Sequence, residues 1–88
     1  MKITIGKPER AVIGWNVDVS VEADKGEKIG YVEVRINDFR KVEDSPDPAV
    51  DSWEQQLVQV GDYPEDNKAE VLIRDQDGNE TRAERKWS

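Results

Sequence analysis

The sequence predicts an all-β protein built as an antiparallel sandwich or barrel. Apolar and polar residues alternate along several short segments, as expected for strands with one buried and one solvent-exposed face. Turn-forming residues separate these segments, and no segment shows the longer apolar period of a helix. These features predict about seven strands in a single domain over residues 1–88. Because Met1 leads almost directly into a strand-like segment, excision of the domain from a longer chain stays an open alternative.

The first half of the chain carries the clearest strand signals. A short strand is expected within residues 1–6, and a long one within residues 11–24. Residues 24–28 contain a glycine between charged residues and predict a turn, and residues 29–38 predict the next strand. The residues expected to face inward are Ile13, Trp15, Val17, Val19 and Val21 on the long strand and Val32, Val34 and Ile36 on the next.

The middle of the chain is less regular. Residues 39–53 show no sustained period, and Pro46 and Pro48 remove two backbone donors, so we expect a long acidic loop there. Residues 52–60 predict a weaker strand. A helix capped by Asp51 or Ser52 is the alternative.

The last part of the chain predicts a turn at residues 61–67 and then two strands. Residues 68–75 and 80–87 alternate, and Asp77-Gly78 between them is a strong hairpin signal. The inward positions are Ala69, Val71, Ile73, Thr81, Ala83 and Trp87.

Asp75, Asp77 and Asn79 occupy alternate positions beside Gly78, as at the start of a calcium-binding loop. Such a loop needs a bidentate glutamate at its twelfth position, and Lys86 stands there. The hairpin interpretation is therefore favoured, with a weak, incomplete cation site as the alternative and no metal or other cofactor expected.

The composition argues against catalysis. The chain has no cysteine and no histidine, which excludes thiol nucleophiles and the usual general base near neutral pH. Its paired carboxylates lie in segments predicted to be solvated loops, where nothing raises a carboxylate pKa toward neutrality, so we expect no enzyme activity. The net charge is −7, and residues 38–68 hold nine acidic against three basic residues. This balance disfavours nucleic-acid binding, and no apolar run is long enough for membrane insertion.

Two segments together resemble bacterial immunoglobulin-like domains. The first, VIGWNVDVSVEADKGEKIGYVEVRIND, has a strand, an Ala-Asp turn and a G-x-V-x-V-like start to the next strand. The second, DSWEQQLVQVGDYPEDNKAEVLIRDQDGNET, has a tryptophan strand, a glycine turn, a penultimate strand and D-x-x-G-N-x-T. The matching residues are Val17, Val19, Val21, Ala23, Asp24, Gly30, Val32, Val34, Ile36, Trp53, Leu57, Gly61, Val71, Ile73, Asp75, Gly78, Asn79 and Thr81.

This resemblance implies an immunoglobulin-like antiparallel β-sandwich of about seven strands. The sequence departs from the family pattern in the long acidic segment after Gly61 and in the arginine before Asp75. Members of the family are mostly spacers and interaction modules of secreted or surface-attached proteins. The resemblance therefore implies a non-catalytic module, an extracellular or cell-surface location, and another protein or a neighbouring domain as partner.

The candidate partner-binding residues lie in and after the predicted acidic loop: Glu43, Asp44, Asp47, Asp51 and Trp53. The charge of this segment is expected mainly to keep a small domain soluble. Because loops held on a rigid β framework commonly carry binding sites, docking of a basic partner is the alternative. Trp53 is expected to pack in the core, with exposure as a platform for a sugar as the alternative. A carbohydrate-binding module and a free acidic protein that binds a basic partner are therefore the alternative functions. The oligomeric state stays open.

Overall fold

The computed structural model describes residues 1–60 and 66–88, with the side chains of all of these except residues 57–60. The described residues contain no helix and form eight strands. They are β1 (Lys2–Ile5), β2 (Glu9–Arg10), β3 (Trp15–Glu22), β4 (Ile29–Ile36), β5 (Phe39–Asp44), β6 (Ser52–Val60), β7 (Asn67–Asp75) and β8 (Glu80–Trp87). The all-β prediction is confirmed. The expected turn at residues 61–67 falls mostly outside the described residues.

The strands form two antiparallel sheets, an arrangement compatible with a β-sandwich. In the first sheet, β3 pairs with β1 and β2 along one edge and with β6 along the other. In the second sheet the order is β5-β4-β7-β8. The chain passes between the sheets after β3, after β5 and after β6, so strands that are neighbours in sequence often lie in different sheets.

The core lies between the inner faces of the two sheets. Val19 and Val34 are both 0% exposed, which confirms the predicted orientation of β3 and β4. β-Branched residues suit this pleated, enclosed surface, and alternation along each strand turns them to the same side. The buried core comprises Val17, Val19, Val21, Ile29, Val32, Val34, Ile36, Ala69, Val71 and Ile73.

The structure corrects the prediction at the start of β3. Ile13, predicted to face inward, is 63% exposed and lies outside the strand. Gly14 has a φ of 73°, and the Ala11 N–H donates to the Gly14 carbonyl at 3.0 Å. A tight turn therefore ends the alternation, and the strand begins only at Trp15.

A second correction concerns the predicted loop over residues 39–53. Its first six residues form strand β5, which pairs with β4 from Ile36↔Phe39 to Val32↔Asp44. Asn37 and Asp38 adopt positive φ values of 50° and 71°, so they make a two-residue hairpin turn without glycine. Residues 52–60 are a strand, so the helical alternative is wrong.

Candidate interaction surfaces at the two ends

Most of the described connections between strands lie at two opposite ends of the fold. We call one the acidic end: it comprises residues 23–28, 45–51 and 76–79, which follow β3, β5 and β7. We call the other the aromatic end: it comprises residues 10–15, 37–39 and Trp87. Pairing of Lys2 with Glu22 places the start of β1 at the acidic end, and pairing of Asn67 with Trp87 places the end of β8 at the aromatic end.

The three segments of the acidic end are joined by hydrogen bonds. The Lys28 N–H donates to Oε1 of Gln76 at 2.7 Å, and the Gln76 N–H donates to the Lys28 carbonyl at 3.1 Å. The Ala23 N–H donates to the Asp51 carbonyl at 2.9 Å, and Ile29 and Val50 exchange a pair of backbone bonds. Most of these bonds join backbone groups far apart in sequence, so the loops hold a fixed arrangement on the two sheets.

Asp75 organises the hairpin at this end. Its Oδ1 accepts from the backbone N–H groups of Asp77 and Asn79, both at 2.9 Å, and its Oδ2 accepts from the Asn79 amide at 3.1 Å. The bonds from Asn79, followed by the Asp77 N–H, hold the pKa of the Asp75 carboxyl below its ordinary value. Gly78 has a φ of 86°, which closes the turn. The predicted hairpin is confirmed.

The structure distributes the five candidate binding residues rather than clustering them in one loop. Glu43 and Asp44 lie on β5, Asp47 and Asp51 lie in the connection to β6, and Trp53 lies on β6. The indole Nε1 of Trp53 donates to Oδ2 of Asp44 at 2.9 Å, which joins an edge strand of one sheet to an edge strand of the other. Trp53 is partly buried against the core.

Two of the four candidate carboxylates are paired with cations of this chain. Glu43 forms an ion pair with Arg40, and Asp51 forms one with Lys28. All these side chains are substantially exposed, so the pairs are weak. Asp47 is exposed and makes no side-chain bond within the part of the chain that the structure describes.

The aromatic end is built differently. The Trp15 and Trp87 rings meet edge to face, with centroids 6.3 Å apart, and the Arg10 guanidinium lies 4.8 Å from the Trp15 ring centroid. These contacts cover the open end of the core. Trp87, predicted as an inward position, is partly buried against the core and caps it by packing on Trp15.

Asn37 fixes the β4–β5 turn at the aromatic end. Its Oδ1 accepts from the Lys68 N–H at 2.8 Å, its Nδ2 donates to Oδ1 of Asn67 at 3.2 Å, and its N–H donates to the Lys68 carbonyl at 2.9 Å. The Lys68 ammonium also pairs with Glu70 and Asp38, and its hydrogen bonds to those carboxylates raise the Lys68 pKa. The turn is therefore held against the start of β7.

Among the described side chains, three large apolar ones stand exposed at the aromatic end, and the sequence did not single them out as surface features. Val12 is fully exposed, Ile13 is 63% exposed and Phe39 is 66% exposed. The sequence pattern placed Val12 and Ile13 in an apparently continuous strand and Phe39 in a loop, so it did not predict their exposure. The signals that identify them are Gly14 and the Asn37-Asp38 pair, both of which adopt positive φ.

Neither end has the arrangement of a metal centre. Among residues 1–60 and 66–88, no three acidic side chains are grouped in a way that would hold a metal ion. Within the same residues, no helix is long and apolar enough to cross a membrane.

No protein-family model matches the chain, and neither a curated protein nor a solved structure matches it significantly. Its function has to follow from the two sheets and the surfaces at their ends.

Proposed function

We propose that the chain is a non-catalytic immunoglobulin-like module that acts as a spacer or protein-interaction domain. The strand order supports the immunoglobulin-like assignment. β1, β3 and β6 share one sheet while β4, β7 and β8 share the other. Strands A, B and E and strands C, F and G divide between two sheets in the same way in immunoglobulin-like domains, with β5 in the place of an added strand beside C.

One observation favours the spacer role above others. The Cα atoms extend 41 Å along one axis and only 18 Å along the other two, and β1 begins at the end opposite to the one where β8 ends. A neighbouring domain attached before β1 and one attached after β8 would be held apart along the long axis. That separation is the physical property that a spacer requires.

A tandem of two copies tests this proposal. We expect two copies joined directly, Ser88 to Met1, to have a maximum dimension about twice that of one copy in small-angle X-ray scattering. The first copy should unfold at the melting temperature of the single domain, and the second slightly below it, because the join removes the ion pairs of the Met1 ammonium with Asp24 and Glu27. A maximum dimension close to that of one copy would mean that the copies fold back on each other, and the spacer role would then be wrong.

The acidic end supports the interaction role. Its loops are fixed by backbone bonds, it presents Asp47 and Asp77 at the surface, and its exposed ion pairs can exchange. Such a surface suits a basic partner, whose approach it would accelerate. A lysine-rich peptide is a suitable probe, with association followed by stopped-flow fluorescence of a dye on the peptide.

The variant for this test replaces the four predicted carboxylates, Glu43, Asp44, Asp47 and Asp51, by Gln or Asn. We expect it to associate several-fold more slowly with the peptide at low salt, with little change in dissociation. A matched control neutralises four exposed carboxylates elsewhere, namely Glu9, Asp38, Asp66 and Glu84. Equal slowing in both variants would show a net-charge effect and would remove these four carboxylates as the docking surface.

A further inference from the structure

The edge strand β5 has a feature that neither the spacer role nor the acidic end uses. It is the terminal strand of the second sheet, and within the described residues its only sheet partner is β4. Its side chains are exposed except for Val42, which is partly buried. The outer edge of such a strand presents backbone N–H and C=O groups to which another strand can bind.

The order of charges along β5 is self-complementary. Reading from Phe39, two basic residues, Arg40 and Lys41, precede Val42, and two acidic residues, Glu43 and Asp44, follow it. If a second β5 runs antiparallel with the two Val42 residues opposite each other, each basic half lies against an acidic half. Lys41 then faces the second copy's Glu43, whereas Arg40 lies beyond the register shift and stays paired with Glu43 of its own chain. Opposite charges on facing positions stabilise strand pairing, and like charges disfavour it.

We propose that β5 is a docking edge for a second copy of this chain, with the two β5 strands paired antiparallel across a twofold axis. A twofold interface requires a surface that is complementary to itself, and the charge order of β5 meets this requirement. The two second sheets would join into one continuous sheet of eight strands.

Two further observations support β5 as the pairing edge. The Lys41 ammonium makes no ion pair within the described residues, so it is available to a partner. Phe39 is 66% exposed at the start of the strand, and the pairing would place it against the segment that follows Asp44 in the second copy. Burial of this ring adds an apolar contribution at each end of the paired strands.

The β6 and β8 edges lack this combination. β6 carries a single charged residue, Glu54, so charge gives its self-pairing no preferred register. On β8, antiparallel self-pairing about its centre would set Arg82 against a second copy's Arg85, and Arg85 already donates to the Ile5 carbonyl at 2.9 Å. The charges of β5 therefore favour a second copy more than those of β6 or β8.

The test is a charge swap measured by sedimentation equilibrium on the 88-residue chain at low salt. We expect a reversible monomer–dimer equilibrium for the natural sequence. Lys41→Glu and Glu43→Lys should each raise the dimer dissociation constant at least about tenfold, because two attractive pairs become repulsive. An equimolar mixture of the two variants should form a 1:1 heterodimer, because the two glutamates of the first variant then face the two lysines of the second. The variant with both changes should dimerise again by itself.

Matched changes on β8 separate this pairing from net charge. Lys86→Glu and Glu84→Lys change the charge by the same amounts on an exposed strand at the opposite edge of the sheet, and both should leave dimerisation unchanged. None of these variants touches the core or the Trp53–Asp44 bond, so folding should persist, and circular dichroism checks it. A natural chain that stays monomeric at millimolar concentration overturns the proposal. A dimer that survives both Lys41→Glu and Glu43→Lys overturns it too, because the contact must then lie elsewhere. Neither result bears on the extended tandem expected of a spacer.

Discussion

The acidic end and the aromatic end close the same two sheets by different physical means. At the acidic end, backbone groups and short polar side chains join three connections that are far apart in sequence, as between Lys28 and Gln76. At the aromatic end, Trp15 packs against Trp87, and Asn37 holds one turn against β7. Ring packing removes apolar area from water, whereas polar bonds largely replace bonds to water. We therefore expect the aromatic end to contribute more to the stability of the fold, and the acidic end to present more polar surface in a fixed arrangement.

The largest effect is expected from removal of the aromatic anchor. Trp15→Ala removes the contact with Trp87 and the cation–π contact with Arg10. It should lower the free energy of unfolding by about 3 kcal/mol, from lost burial and the cavity left behind. Urea denaturation followed by circular dichroism measures this change.

Trp53→Phe is the corresponding change near the acidic end, where β6 begins. It keeps a ring against the core but loses the indole bond to Asp44 and part of the packed ring area, so it should cost about 1–2 kcal/mol. If Trp53→Phe destabilises the protein more than Trp15→Ala, the assignment of the main anchor to the aromatic end is wrong.

The next effect concerns the Asn37 turn. Asn37→Ala removes the acceptor for the Lys68 N–H and places alanine at a φ of 50°, which should cost about 2–3 kcal/mol together. Asn37→Gly removes the same side chain but tolerates the positive φ. It should therefore be about 1 kcal/mol more stable than the alanine variant in the same urea experiment. Equal stabilities would show that backbone conformation contributes nothing here.

The turns at Gly14 and Asn37 also show which parts of the fold the sequence predicts and which it does not. The inward positions of β3, β4 and β7 are predictable because alternation over several residues reports one buried face directly. The prediction for Ile13 is wrong because alternation continues through Gly14, although the backbone turns there. β5 is missed because residues 39–53 show no sustained period, since an edge strand tolerates charges that a central strand does not.

The candidate surface was predictable only in part. Composition located the acidic segment, but the partners of its carboxylates depend on the fold. Asp51 meets Lys28 across 23 positions of sequence, and Asp44 meets Trp53 across the gap between the sheets. Such contacts leave no local pattern, so the sequence overstated how much free negative charge this segment presents.

A smaller effect on stability is expected at Asp75, because the stabilisation that its carboxylate gives to the acidic end should be lost at low pH. The folded-state pKa of Asp75 is lowered, so its contribution to stability is present above the ordinary aspartate pKa of about 4 and is lost as pH falls toward the folded value. Asp75→Asn keeps an acceptor for the two backbone N–H groups but loses the charge and the acceptor for the Asn79 amide. The melting temperature of the variant should be a few degrees lower at pH 7, and the difference should shrink below about pH 4. A difference that stays constant from about pH 7 to about pH 3 would contradict the role of the carboxylate charge.

The smallest effect belongs to the ion pair between Lys28 and Asp51. Both side chains are well exposed, so their coupling in a double-mutant cycle of Lys28→Ala and Asp51→Ala should be about 0.5 kcal/mol at low salt. Salt at about 1 M should remove most of it, because exposed charges are screened over a few ångströms at that concentration. Gln76→Ala, which removes the acceptor for the Lys28 N–H, should cost about 1 kcal/mol and respond little to salt. The acidic end would then be held by hydrogen bonds, with its charges left free to exchange for those of a partner. A coupling energy that is larger than the cost of Gln76→Ala, and that persists at high salt, would contradict this ranking of the two interactions. The Asp51 carboxylate would then help to hold the loops of the acidic end together.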